Sequence, residues 1–364
     1  MFWLGLVLPV CFWAGYTGAN IPTQWIVLSA VLACGLWLRA QVTAAHWFIA
    51  IFVLYAVLSI IWSAGQKDSV EGVWKIIICA EAFWLGSAAP SLRRLWIGLA
   101  IGLLLSWPII LAQIGGQSPV YFSPSPNPLA VPGLLFNTTV LGATAALVIV
   151  GLIESDLWAL SGALMPLLWI AHSKGAWVAL AAALICKYIH WALSAALVLT
   201  AGVAFFLTYG TSDLERIEIW HAAYQGLTIF GRGASSFGNV MLAHPTYFLK
   251  PEFVHNDSLQ LLFEYGVGAI PLFLAVGWTL TRHRAENWPV FICFIVLGIF
   301  WFPLFSPIPA FIGCIVAGNL ARRRVVVCDY GLDRRFISPA WLQKFGSEND
   351  FISERHFPVE RRHP

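Results

Sequence analysis

Charge is what this chain has least of. Asp, Glu, Lys and Arg together make up 11% of its residues, against roughly 25% in soluble globular domains, which excludes a string of soluble domains. Hydrophobic residues account for 59%, and apolar stretches recur from end to end, the pattern of one polytopic helical bundle. Pairing among the cysteines is also missing. Seven stand at positions 11, 34, 79, 186, 293, 314 and 328, none at redox or metal-ligand spacing, so they read as small buried hydrophobes. No His-x-x-His or His-Glu-x-x-His spacing occurs, so neither a metal site nor a cofactor is expected. No basic face is interleaved with stacking aromatics, which argues against a nucleic-acid partner. The opening "MFWLGLVLPVCFWAG" lacks a basic n-region and a small-residue cleavage site, and it reads as a retained first span rather than a removed signal peptide.

What the chain does have is apolar runs of spanning length. They place about twelve helices, near 2–16, 24–38, 46–62, 73–89, 95–114, 136–153, 157–172, 175–190, 191–209, 257–280, 288–303 and 305–320. The expected architecture is an all-α polytopic membrane domain over 1–320, with a polar tail over 321–364. Basic residues flanking membrane helices favour the cytoplasm. With both termini inside, Arg39, Arg93, Arg94, Lys187, Arg282, Arg284, Arg322, Arg323 and Arg324 all fall on that side. The tail's arginine run then meets anionic lipid headgroups. The opposite surface receives Lys67, Lys174, Arg216, Arg232 and Lys250, together with the extended loops near 115–135 and 210–256.

Those external loops are where chemistry can reside. The segment "GGQSPVYFSPSPNPLAVPG" is rich in Pro, Ser and Gly and predicts an irregular covering segment. In "DLERIEIWHAAYQGLTIFGRG", Ile217, Trp220, Tyr224 and Leu227 recur at spacings of three and four, which predicts an amphipathic helix along the membrane surface, ended by Gly231 and Gly233. "GRGASSFG" has the wrong glycine spacing for a dinucleotide fingerprint; it predicts a tight turn whose amides are open to an anion. Lys174 and Lys187 lie only about 20 Å apart along a helix, against about 30 Å of hydrocarbon. Two readings follow: Lys174 is recessed in a cavity open to the outside, or it snorkels outward from a tilted helix.

The stretch "FVHNDSLQLLFEYG" at 253–266 is polar where its neighbours are oily. Asn256 and Asp257 are natural N-caps for a helix beginning there. Asp257, Gln260 and Glu264 share one helical face, which in a membrane must look at protein or water. An acid at the depth of Glu264 marks either a hydrated cleft or a structural ion pair. Glu71 and Lys75, at i and i+4, predict a surface pair. Four histidines, His172, His221, His244 and His255, face outward in this topology, and His255 adjoins the polar face. Lys174, Arg216 and His255 thus arrive on one side from separate segments. Two cations and an imidazole there suit a pyrophosphate, whose charge grows as it departs.

At these residues the sequence resembles the O-antigen ligase and polymerase superfamily of bacterial envelope glycosyltransferases. The matches are "GLLFNTTVLG" at 133–142, "HSKGAWVAL" at 172–180, "ERIEIWHAAYQGLTIFGRGASSFG" at 215–238 and "HNDSLQLLFEYG" at 255–266. The resemblance implies about twelve helices in a C-type membrane glycosyltransferase fold, seated in the bacterial inner membrane with the site on the periplasmic side. It implies a metal-independent, inverting transfer of a glycan from undecaprenyl pyrophosphate to a lipid A core or glycan acceptor. By the same resemblance Arg216 and His255 carry the chemistry and Lys174 holds the pyrophosphate; Asn256, Asp257 and Glu264 are the candidate substrate contacts, with Asp257 or Glu264 alternatively orienting the imidazole. The family's Ser-Arg-Gly is met here by Ser173, Lys174 and Gly175, and a lysine cannot give arginine's bidentate grip on a phosphate. Its second glycine, three residues after Gly266, is Ala269 here. A polytopic solute transporter is the competing class, since a few charges among many helices also describe carriers. No internal repeat supports it.

Overall fold

A computed structural model describes residues 1–10, 24–30, 40, 42–117, 131–135, 137–188, 211–243, 253–281 and 286–322. The expected span at 191–209, the proline-rich stretch from 118 to 130, His244, Lys250 and the tail beyond Arg322 lie outside these residues.

Among the described residues the structure is helical throughout, without a strand. In chain order the helices are α1 Phe2–Val10, α2 24–30, α3 Ala44–Ser59, α4 Gln66–Ala88, α5 Arg93–Leu104, α6 Trp107–Ile114, α7 Thr138–Glu154 and α8 Trp158–Ile170. There follow α9 Lys174–Tyr188, α10 Thr211–Gln225, α11 Ser236–Ala243, α12 Asp257–Tyr265, α13 Ile270–Leu280, α14 Trp288–Phe300 and α15 Pro307–Ala321. Three helical stretches, Ala44–Trp62, Arg93–Ile114 and Asp257–Leu280, are long and apolar enough to cross a membrane. Thr138–Glu154, Trp158–Ile170, Trp288–Phe300 and Pro307–Ala321 are apolar but shorter. Helix α4 is as long as any, yet it carries Lys67, Asp68, Glu71, Lys75 and Glu81.

Helix α7 is the axis of the bundle. Asn137 caps it, its Oδ1 accepting the Thr139 amide at 2.7 Å, and every residue from Val140 to Ile153 is buried. Helices α5, α8, α9, α14 and α15 pack around it. The α4–α15 crossing is close because glycine leaves room: a Cβ on Gly86 would run into the Ile315 carbonyl, and one on Gly318 into the Phe83 carbonyl. Backbones that touch gain dispersion contacts where lipid offers no hydrophobic drive.

The helices sort the described basic residues onto two ends. Gly142 abuts Ser173, which puts the starts of α7 and α9 together, and Gly233 abuts Ser63, which puts the loop after α10 beside the start of α4. At the far ends of the same helices, Lys187 pairs with Glu154 at 2.7 Å and Arg322 donates to the Ala89 carbonyl at 3.2 Å.

The span from Asp257 to Leu280 is broken. Gly266 takes φ +52 and ψ −127, a combination closed to residues with a Cβ, and a short 3₁₀ turn, Gly266–Ala269, separates α12 from α13. A break inside a membrane helix leaves carbonyls that water cannot reach, so protein must satisfy them. The loop after α10 does this: Arg232 N–H donates to the Phe263 carbonyl at 3.1 Å and Gly233 N–H to the Glu264 carbonyl at 2.8 Å. In return the Val267 amide donates to the Ile229 carbonyl at 2.8 Å. The Tyr55 hydroxyl fixes the loop tip by donating to the Phe230 carbonyl at 2.8 Å.

Candidate functional site

The N-terminal end of α12 is built by its cap. Asn256 Oδ1 accepts the Leu259 amide at 2.9 Å, and its Nδ2 reaches across to donate to the Ile299 carbonyl in the last turn of α14 at 3.1 Å. One residue earlier, His255 stands at φ +58. Its ring meets Phe302 edge-on, with centroids 5.0 Å apart, and its buried Nδ1 has no hydrogen-bond partner among the described residues. Arg216, near the start of α10, donates from Nη1 to the Phe300 carbonyl at 3.4 Å. The position of a Gly175 Cβ lies 3.8 Å from Phe300 Cβ, which brings the Lys174–Gly175 step to the same helix end.

Arg216, His255, Asn256 and the Lys174–Gly175 step therefore converge on the end of α14. The electrostatics agree with that proximity: burial, and then the Arg216 charge, lower the His255 pKa from 6.5 to about 4. At neutral pH the imidazole is uncharged and able to accept a proton.

The other expected site residues sit differently. Asp257 is buried, and its Oδ2 accepts the Leu304 amide at 3.1 Å, so it holds the segment after α14 and not the imidazole. Its Oδ1 has no partner among the described residues. Glu264 is fully buried. Its Oε1 accepts Gln260 Nε2 at 3.0 Å, while Gln260 Oε1 accepts the Val254 amide at 3.1 Å. The Ser235 amide and the Lys75 charge also face the Glu264 carboxylate. The shared face of Asp257, Gln260 and Glu264 thus looks at protein, and Glu264 is not gathered with Arg216 and His255.

Several further expectations change. Lys174 is exposed, so the recessed-lysine reading is not met; the shortness of α9 is resolved at its other end, where Lys187 turns back to Glu154 and to the Ile153 carbonyl. The amides of Arg232 and Gly233 are spent on helix carbonyls and are not open to an anion. Helix α10 is apolar on two sides: Ile219, Ala222 and Ala223 pack on Phe237, Met241, Val254 and Phe263, while Ile217 and Tyr224 of the expected stripe are exposed. His172 and His221 are exposed outside the cluster, and His221 pairs with Gln225 at 2.8 Å. The Glu71–Lys75 pair forms as expected, at 2.7 Å.

Behind Asp257 lies a cavity of about 220 Å³, walled by α3, α4, α12, α13, α14 and α15. Its lining is mostly apolar, for example Phe52, Leu261 and Phe294, with Asp257 and Lys75 as the charged members. Asp257 and Ile299 belong both to this wall and to the region of the polar cluster, so the two compartments adjoin.

Sequence reasoning missed the segment that organises all of this. The span expected over 288–303 stops at Phe300; Trp301 is extended and Pro303–Phe305 form a 3₁₀ turn. In "FWFPLF" the proline at 303 marks where the helix has to stop, but nothing there marks what the segment holds. A scan against protein-family models matches none, and a search of curated proteins likewise returns no match.

Proposed function

We propose that this protein is a membrane glycosyltransferase that moves a glycan from undecaprenyl pyrophosphate to an acceptor hydroxyl, acting as an O-antigen ligase on lipid A core. The observation that carries this reading is the convergence of Arg216, the Lys174–Gly175 step and a neutral, half-buried His255 at one end of an apolar bundle. An anionic head at that end, with part of an isoprenoid chain in the adjoining cavity, suits an amphiphilic donor. The twelve-helix C-type fold, the inner-membrane seat and the periplasmic face of the site belong to the same proposal.

The chemistry follows from the residues. The acceptor oxygen bonds to the anomeric carbon as the bond from that carbon to the pyrophosphate oxygen breaks, and the leaving group keeps the electron pair. Arg216 and Lys174 stabilise the charge that develops there. The acceptor proton goes to His255. A base with a pKa of about 4, lowered by burial and then by Arg216, is weak, but the negative charge of a pyrophosphate bound beside it raises that pKa. The base forms when the donor is in place.

A deletion strain complemented with His255→Ala or Arg216→Ala tests the assignment. Each is expected to lose surface glycan at normal membrane abundance, and full restoration by both defeats it. Electrophoresis of the deletion mutant's glycan separates acceptors: unattached long chains mark a ligase, and single-repeat products mark a polymerase, the second reading. A carrier shares the broken α12–α13 helix. In carriers, however, such a break presents free backbone groups to the substrate, and here loop amides occupy the Phe263 and Glu264 carbonyls.

A further inference from the structure

The last turn of α14 and the residues just after it collect interactions from the arms of the site. Asn256 binds the Ile299 carbonyl, Arg216 the Phe300 carbonyl, the His255 ring meets Phe302, and Asp257 takes the Leu304 amide. Three of these contacts are hydrogen bonds with defined directions. The contact to His255 is of another kind, because its buried Nδ1 has no partner among the described residues, and an imidazole held at one nitrogen or none can turn.

Ring packing fixes it instead. Phe302 presents its ring to the imidazole at an interplanar angle of 66°. Phe302 is itself clamped: Phe253 stacks on it with centroids 4.4 Å apart and planes 14° from parallel, and Phe253 leans on Phe305 at 5.8 Å. Aromatic pairs of this kind contribute about 0.5–1.5 kcal/mol beyond area burial. That offsets part of the cost of holding His255 at φ +58, a backbone conformation costing about 1–3 kcal/mol that persists only where the surroundings impose it. The charged group that acts on the imidazole is Arg216 from α10, and its Nη1 is directed at the Phe300 carbonyl, while Asp257 from α12 is directed at the Leu304 amide. Neither replaces the ring as a brace.

We propose that Phe302, backed by Phe253, is a positioning residue that orients the His255 imidazole toward the acceptor hydroxyl. The proposal rests on the transfer reading above. It takes no part in binding the donor, so its loss acts on turnover and leaves donor affinity alone.

The test combines an activity measurement with one that needs no substrate. In membranes supplied with undecaprenyl-pyrophosphate-linked glycan, Phe302→Leu is expected to lower kcat about 10- to 100-fold, the scale of a misplaced catalytic group, with the donor KM changed less than about twofold. Phe302→Tyr, which keeps the ring, is expected to restore the rate. Separately, ¹⁵N-histidine NMR of purified protein in nanodiscs follows the His255 titration: Phe302→Leu admits water beside the imidazole and moves its midpoint up from about 4 by a unit or more. Phe253→Leu is expected to move it the same way and by less. An unchanged midpoint and rate in Phe302→Leu overturn the proposal, as does a KM rise that accounts for the whole loss. If His255→Ala keeps full activity, it is the transfer reading that fails; if His255→Ala is inactive while Phe302→Leu matches wild type, only the positioning role fails.

Discussion

Gly266→Ala probes the junction on which the site is mounted. At φ +52 and ψ −127 an alanine incurs about 1–3 kcal/mol of backbone strain. Its Cβ would also run into the Ile229 carbonyl oxygen, and the Gly231 nitrogen lies 2.5 Å away; these are backbone atoms, so no flexible side chain can swing aside. Relief requires the 229–233 loop to lift away. That breaks the Val267-to-Ile229 bond and weakens the two bonds that Arg232 and Gly233 donate to the broken helix. With about 1 kcal/mol for each such bond, the total comes to about 4 kcal/mol. Whole proteins have only about 5–15 kcal/mol to lose. The internal control is Gly277→Ala in the same span, where a Cβ meets nothing within 4 Å and helix propensity improves by up to about 1 kcal/mol. Membrane abundance of a fluorescent fusion, followed by thermal unfolding in detergent, reads both. Gly266→Ala is expected to be scarce and to unfold early while Gly277→Ala matches or exceeds wild type. Equal behaviour of the two variants would refute the clasp.

Other consequences are open to measurement. With a folded-state pKa of about 4 against about 6.5 when unfolded, His255 costs nothing above pH 6.5 and progressively destabilises the fold as pH falls toward 4, by up to about 3 kcal/mol; thermal unfolding from pH 7 to 4 should show a steeper acid loss in wild type than in His255→Gln. Asn256→Ala removes a helix cap worth about 1 kcal/mol and a second bond of similar size to Ile299, so it is expected to lower stability by about 2 kcal/mol in denaturant titration, with Asn256→Asp recovering the cap alone. Lys187→Met leaves Glu154, 10% exposed along its side chain, without its ion-pair partner, a loss of about 3–5 kcal/mol for a buried charge; the double variant with Glu154→Gln is expected to regain most of the membrane abundance, and normal abundance of Lys187→Met alone would show that the pair is dispensable.

How much of this was legible depended on range. Local rules found the cap at Asn256 and the common face of Asp257, Gln260 and Glu264, because each is set within two turns of one helix. They also found a turn at Gly231–Gly233, but not that its amides are consumed by a helix break more than thirty residues on, since Gly266 looks like any glycine in an apolar run. Counting residues between Lys174 and Lys187 exposed a length mismatch, yet could not say which end gives way. That was decided by Glu154, which lies on another helix. The 299–304 segment was illegible for a different reason: it acts through carbonyls, an amide and a ring, none of which composition distinguishes from filler.

That same segment shows why site and scaffold are hard to separate here. The last carbonyls of any helix have no partner within it and carry the negative end of its dipole. At the end of α14 they are taken up by Asn256 and Arg216, so the groups that satisfy the helix are also groups the site uses. A guanidinium has five N–H donors in a fixed fork; one spent on the Phe300 carbonyl aims the remainder while leaving most of them for a phosphate. Arg216→Lys keeps the charge but not the fork. It is therefore expected to lose most of the transfer, and Arg216→Ala all of it, both at wild-type membrane abundance. Equal transfer by Arg216→Lys and wild type would mean that charge alone, and not the aimed donor set, is what this position provides.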